Sequence, residues 1–477
     1  MSKFSNYLKD LIERSGESIA FISRTLNIER TSIHKALADE RILPYSAVQA
    51  LAHHFELPLD ERQEFFRLYD IQLQGEEAYQ NRQAICDFLN TLSAIDFKMP
   101  APPEVTSIPE KDQMIRGEYA IHSLIRSILI YESAHIPNAK FYLFLPPRLN
   151  LTMELMELWL NNREFSVTEL LYLQTTHKSQ NNSNNRKDLQ KLGSVIPLCL
   201  ASRGKYKPYA FTFGSQATMI YPLSHYIITP EYLILIAEDL STAQVFKNEP
   251  LVFYYRNYFL SLVQNCELLV QCSSNIMDVL HEYLTGTSPD RLQILMAQPC
   301  PGRYITPGLI KKYMKAPNLP YDTMFHLVER HFSVLRNIQK NYVTIFSEKG
   351  LASFIQNGIL QDLPPQYVPP LEPSDVKMML TELYKETENG TITSLIVRPT
   401  VLQIPEYLSI YATSQAGLHL YTTNSFVFGA YSSDIHISDI SLCKVFTDFF
   451  AGLSGSPMVY SKEETLCLLK QYISLIP

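Results

Sequence analysis

The sequence predicts a multidomain chain: a small all-α unit of five helices, then a mixed α/β body that reads as two related lobes. Three observations carry this reading. The first 70 residues place apolar side chains at helical spacing, interrupted by single turn residues. From about residue 116 onward, short apolar runs with strand character interleave with helical ones. Finally, Ser224, Tyr226, Leu233 and Leu235 have the spacing of Ser409, Tyr411, Leu418 and Leu420, as a duplicated unit would. A chain of 477 residues also exceeds one ordinary core.

The elements of the first unit follow from local chemistry. Phe4, Leu8, Leu11 and Ile12 form one face of a first helix, which Gly16 can end at positive φ. Ser18 is placed to cap a second helix with Ile19, Ile22 and Leu26 inward. Ser23 is small where two helices must approach, and Asn27 tolerates the left-handed conformation of a tight turn. A third helix spans about Glu29 to Leu37 with Ile33, Ala36 and Leu37 inward. That leaves Arg30, Thr31, His34 and Lys35 outward, with Ser32 next to them. Short or cationic side chains at this spacing are what a helix uses to reach base edges and phosphates in a major groove. Helices at Tyr45–Phe55 and Leu59–Tyr69 follow Pro44 and Pro58, with Phe65, Phe66 and Tyr69 available to close the core.

The stretch SIAFISRTLNIERTSIHKALADERILPYSAVQALAHHFELPLDE resembles the lambda-repressor-like, or xenobiotic-response-element, family of helix-turn-helix regulators. The resemblance rests on the second helix ending Leu26-Asn27-Ile28, the third helix with Ile33, and a fourth ending before Phe55–Leu59. It covers residues 1–70 only. It implies a five-helix domain that binds double-stranded DNA, commonly as a homodimer on a two-fold operator. The sequence departs from the family at three places. Ile19 stands where Gln often holds a phosphate, Asn27 replaces the usual turn glycine, and Glu29 opens the third helix. The unit has no basic excess: nine Lys and Arg face eleven Asp and Glu up to Asp70. Phosphate-driven affinity should therefore be modest, and dimerisation would have to double the contacts.

Residues 71–115 read as a helix (75–95) followed by a Pro-rich connector, KMPAPPEVTSIPEKD. The first lobe, 116–290, opens with a helix at Arg116–Tyr131. Strands are expected at Phe141–Leu145, Phe165–Leu173, Val195–Leu200, Tyr209–Phe213, His225–Ile228, Tyr232–Ala237 and Gln244–Phe246. Helices are expected at Leu151–Leu160, Leu251–Val263 and Asn275–Leu284, and a polar loop at Thr176–Asp188. The second lobe, 291–477, has strand patterns at Leu292–Ala297, Tyr342–Phe346, Ser394–Arg398, Leu408–Ala412, Gly417–Tyr421 and Ser425–Phe428. Its helices fall at Thr323–Gln339, Gly350–Asn357, Val376–Thr387 and twice near the C-terminus. In the repeat, Val245-Phe246 aligns with Val427-Phe428, and Phe259 and Leu262 align with Phe450 and Leu453. Two such lobes would face each other about a pseudo-two-fold, with a cleft for a ligand between them.

Catalytic patterns are missing. There is no phosphate-binding GxxxxGK[ST], no GxGxxG and no HExxH. Gly452-Leu453-Ser454-Gly455 lacks the spacing of a nucleophile elbow and reads as a small-residue turn. His177, Lys178 and Asp188 faintly echo HxKxxxxD of phospholipase-D-like proteins, at the wrong spacing. Arg203, Lys205 and Lys207 read as a solvated loop sooner than an anion site, and His53-His54 as surface side chains sooner than metal ligands. Seven scattered cysteines without CxxC read as reduced thiols, Cys266 and Cys272 included. No apolar run reaches membrane-spanning length and the N-terminus lacks a signal-peptide core. The net charge of −7 argues against a general nucleic-acid coat.

The expected protein is a cytoplasmic, non-enzymatic transcriptional regulator. It uses no cofactor or metal, and its body senses a small-molecule or peptide effector and forms a homodimer. Two alternatives stay open: an enzyme or defence effector of unrecognised type with a DNA-targeting domain, and a protein-interaction scaffold.

Overall fold

The computed structural model describes residues 1–97, 108–172, 182–211, 225–275, 278–279, 291–315, 320–338, 341–363, 365–413, 417–422 and 433–477, with the side chains of 182–186 left aside. Five helices come first: α1 (Lys3–Ser15), α2 (Ile19–Leu26), α3 (Arg30–Leu37), α4 (Tyr45–His54) and α5 (Leu59–Gln74). Their ends have local causes. Gly16 closes α1 at φ 69°, the Ser18 hydroxyl accepts the Phe21 amide at 3.2 Å, and Asn27 closes α2 at φ 53°. One core holds them together: Phe4, Leu8, Leu11, Ile22, Ile33, Val48, Leu51 and Phe65 are buried in it. Phe4 stacks on Phe65 with ring centroids 5.1 Å apart. The Tyr69 hydroxyl donates to the Leu43 carbonyl at 2.9 Å, pinning α5 to the loop before α4.

Helix α5 runs past residue 70 to Gln74, and Gly75, at φ 90°, turns the chain directly into α6 (Glu76–Ser93). Helix α6 buries Ala84, Ile85, Phe88, Leu89 and Leu92 in the body's core. The Gln74 side-chain amide donates to the Gly452 carbonyl at 3.2 Å, a direct bond between the helical unit and the body.

The first lobe contains β1 (Gln113–Arg116), α7 (Glu118–His135), β2 (Ala139–Phe144), α8 (Thr152–Leu160), β3 (Phe165–Tyr172), α9 (Asn182–Ser202), β4 (Tyr206–Phe211), β5 (His225–Ile228), β6 (Leu233–Ile236), β7 (Thr242–Phe246), α10 (Glu249–Val263) and β8 (Glu267–Leu268). The second contains β9 (Gln271–Ser273), β10 (Leu292–Leu295), a 3₁₀ turn (Gly302–Tyr304), α11 (Pro307–Tyr313), α12 (Tyr321–Asn337), β11 (Tyr342–Ser347), α13 (Glu348–Asn357), α14 (Pro373–Asn389), β12 (Thr393–Val397), β13 (Ser409–Thr413), β14 (Gly417–Thr422), β15 (Ser433–Ile437), α15 (Ile440–Leu453) and α16 (Lys462–Ser474).

The two sheets have one topology. The first runs β1-β7-β6-β5-β2-β3-β4-β8, and the second, read from its far edge, β9-β15-β14-β13-β10-β11-β12. In each, three parallel strands (β2-β3-β4, β10-β11-β12) meet an antiparallel meander (β5-β6-β7, β13-β14-β15). Even the extra edge is repeated: β8 pairs antiparallel with β4, and Val459 bridges antiparallel to Val397 of β12. The repeat is therefore a repeat of fold. Its spacing match at β5-β6 and β13-β14 lies on equivalent strands. The partner of β7, however, is β15; Ser425–Phe428 lies outside the described residues, as does Ser224.

The lobes do not face each other about a two-fold. One core cluster joins the Phe141–Val167–Ile234 face of the first sheet, helices α6 to α9, helix α15, and the Ile345–Ile410–Ile435 face of the second sheet. Helix α10 lies on the opposite face of the first sheet, where Val252 and Phe259 pack with Tyr142, Leu170 and Tyr226. Helices α11 to α14 and α16 lie on the opposite face of the second sheet. Equivalent helices α10 and α15 thus sit at successive levels, and the lobes stack in series.

Other expectations are corrected as well. Val195–Leu200 is helix, the last turns of α9 with Pro197 inside it. It is apolar all round because it is buried between the sheets, so it carries no helical period. The polar stretch expected as a loop to Asp188 is helical from Asn182, and Asp188 is buried. Strand β1 emerges straight from the Pro-rich connector, and β9 and β15 were not expected. Of Asn275–Leu284, 278–279 are helical and most of the rest lies outside the described residues.

Candidate nucleic-acid interface

The site is built on α2, the turn at Asn27 and α3. Asn27 at φ 53° lets the chain reverse without glycine. The Ser23 hydroxyl donates to the Ile28 carbonyl at 2.6 Å, and the Ile28 amide donates to the Ser23 carbonyl at 3.1 Å. Residue 23 thus ties the last turn of α2 to the start of α3, a role beyond small size.

Helix α3 buries Ile33 and Ala36 against α1 and α2. Arg30, Thr31, His34 and Lys35 are exposed on its other side, as the helical spacing requires. Arg30 and His34 are one turn apart, and the Arg30 Nε donates to the His34 Nε2 at 3.4 Å. Ser32 stands apart from this group. It is buried, and its hydroxyl donates to the Glu29 carboxylate at 3.3 Å. The Lys35 carbonyl accepts the amides of Glu40 at 2.8 Å and Arg41 at 3.3 Å, which folds the following loop against the helix end. Asp39 anchors that loop. It takes hydrogen bonds from Ser5 and Ser2, which hold its carboxyl down at about 2.

Arg24 on α2 and Arg41 after α3 are also exposed. Helical periodicity on α3 gave no reason to select them; Arg41 lies in a loop, where period carries no signal. Glu29 and Glu40 are exposed at the two ends of α3, so the surface carries both signs. His54 bonds the Glu17 carboxylate at 2.6 Å, linking α4 to the residue before the α2 cap.

The remaining sequence candidates do not converge. Arg203 and Gly204 form the turn into β4, both at positive φ, and Lys205 pairs with Glu164. His177 and Lys178 lie outside the described residues. Cys266 and Cys272 are free thiols; Cys266 donates to the Leu262 carbonyl and Cys272 to the Cys199 carbonyl at 3.6 Å. Among the described residues, no three His, Cys, Asp or Glu side chains are grouped to hold a metal, and no helix is long and apolar enough to cross a membrane.

The sequence matches no protein-family model and no curated protein. Among solved structures, it is similar to TrmBL2, an archaeal chromatin protein whose structure shows a novel mode of DNA binding. That match has 15% identity over 54% of this chain and 97% of the other, with a TM-score of 0.23. It is similar to a phosphatidylserine synthase of Haemophilus influenzae Rd KW20 at 10% identity, over 83% and 98%, with a TM-score of 0.23. A polyphosphate kinase of Porphyromonas gingivalis matches at 11% identity, over 88% and 66%, with a TM-score of 0.22. Likeness at this level transfers neither a site nor an activity.

Proposed function

We propose that this protein is a DNA-binding transcriptional regulator whose first five helices read double-stranded DNA and whose two-lobed body senses an effector and forms a homodimer. The observation that carries the reading is α3. It is short, follows a tight turn, and presents Arg30, Thr31, His34 and Lys35 together to solvent. A helix of this kind inserts its outer face into the major groove, and two copies read two half-sites about one DNA turn apart.

The test is binding of the full chain to genomic DNA fragments, its own promoter included, across a salt series. A preferred fragment, with affinity that falls steeply as salt rises, is the expected result. A folded protein that binds all fragments equally, or none at low salt, would sink the assignment.

A further inference from the structure

We propose that the cleft between α4 and the second lobe is a binding site for a small hydroxylated oxyanion, such as a phosphorylated or carboxylated metabolite, and that its occupant couples the body to the DNA-binding helices. The inference rests on the effector-sensing reading above and supplies it with a place.

The cleft has a volume of about 610 Å³, within the usual range for small-molecule sites. One wall is α4, through Tyr45, Ser46 and Gln49; the other is the end of α14, β12 with Arg398 after it, the turn after α15 and the start of α16. The Arg398 guanidinium lies 4.4 Å over the Tyr460 ring, and its Nη2 donates to Glu464 at 2.8 Å. Its Nε is buried and has no hydrogen-bond partner. Lys462, on the same wall, donates to the Glu388 carbonyl at 2.9 Å. Arg398 thus has Glu464 as its carboxylate partner, Lys462 has a backbone carbonyl, and the Arg398 Nε–H lacks an acceptor. A phosphate or carboxylate oxygen in the cleft can meet the exposed part of the Arg398 guanidinium and the exposed Lys462, and so bring negative charge opposite both cations. Ser46, Thr393, Gln49 and Tyr45 share the remaining surface with Ile392, Leu395 and Val459, which suits a small ligand that bears hydroxyl groups on a carbon frame. Because the walls belong to different units, an occupant that touches both favours one placement of the reading helix over others.

The test uses calorimetric titration of the full chain with inorganic phosphate and with glycerol 3-phosphate, at ionic strength matched by chloride. One site per chain is expected, tighter for glycerol 3-phosphate. Arg398→Met and Lys462→Gln should each weaken it about tenfold or more, and Ser46→Trp should block it from the α4 side; circular dichroism melts establish that each variant folds. No binding by the wild type, or equal binding by Arg398→Met, overturns the site. Unaltered binding by Ser46→Trp overturns the coupling, and equal affinity for the two probes overturns the hydroxylated ligand. Operator binding is measured on the same samples. If it persists where phosphate binding is absent, the site fails and the regulator reading stands; the reverse result rejects the regulator reading.

Discussion

The double substitution Arg30→Ala with Lys35→Ala tests the reading helix most directly. Both side chains are exposed, and the side-chain bond that is lost is the 3.4 Å contact from Arg30 to His34. The five-helix core should therefore be unchanged. In the proposed homodimer each protomer loses two cations, so the complex on its operator loses four. At roughly 0.9 counterions per neutralised phosphate, the slope of log affinity against log salt should fall by about 3.6. Over a fourfold rise in salt, the wild type should lose about 150-fold more affinity than the variant. Fluorescence anisotropy with a labelled operator at several salt concentrations measures this. Equal slopes with equal affinities would show that α3 does not meet the phosphates and would refute the placement.

Other consequences can be measured on the same protein. Ser23→Ala removes the hydroxyl that holds the Ile28 carbonyl; it should destabilise the five-helix unit by about 1 kcal/mol, seen as faster amide exchange there and no change in the lobes. Glu169 is buried beside the Tyr206 hydroxyl, and burial raises its carboxyl from 4.5 to about 7. The folded state then holds a proton that the unfolded state releases, so stability from this group is full below 4.5 and is lost as pH rises through about 7. Glu169→Gln should match the wild type in melting temperature at acid pH and exceed it above neutrality. Part of the pH dependence should remain, because Glu132 is raised to about 7 in the same way. Gly350→Ala would bring a Cβ to 1.8 Å from the Ala297 carbonyl oxygen, where α13 meets the end of β10. A loss above about 3 kcal/mol is expected, and a melting temperature within about two degrees of wild type would show that the helix can simply move aside.

The five-helix unit was legible because several of its boundaries have a one-residue cause. Gly16, Ser18 and Asn27 act through their own backbone or hydroxyl, and these effects need no tertiary context. The strands of the meanders were legible as short apolar runs, such as Tyr226–Ile228 and Leu233–Ile236, which pack on both faces of the sheet. What failed is what depends on the neighbours. The end of α9 lost its period because both sheets cover it. Strand β15 alternates Asp434 and His436 with Ile435 and Ile437, but polar residues buried in a sheet look like a loop in a linear reading. In the site, helical spacing placed Arg30, Thr31, His34 and Lys35 correctly on one exposed face and could not foresee that Ser32 would turn to Glu29. The cleft beside Tyr45 was invisible, since its walls are more than 330 residues apart in sequence and come together only in the tertiary fold, near where Gln74 bonds Gly452.

The serial stacking of the lobes gives the body two unlike poles. Inside the chain, the α15 side of the second lobe is covered by α6 and α9. The corresponding pole of the first lobe is α10, where Phe253 and Tyr254 stand 61% and 66% exposed. A contact between copies that continued the internal pattern would join unlike poles, and each added copy would present the same free pole again. Such a contact polymerises; it does not close. A homodimer that serves a two-fold operator must therefore be made from a like-with-like contact that the internal repeat does not prefigure.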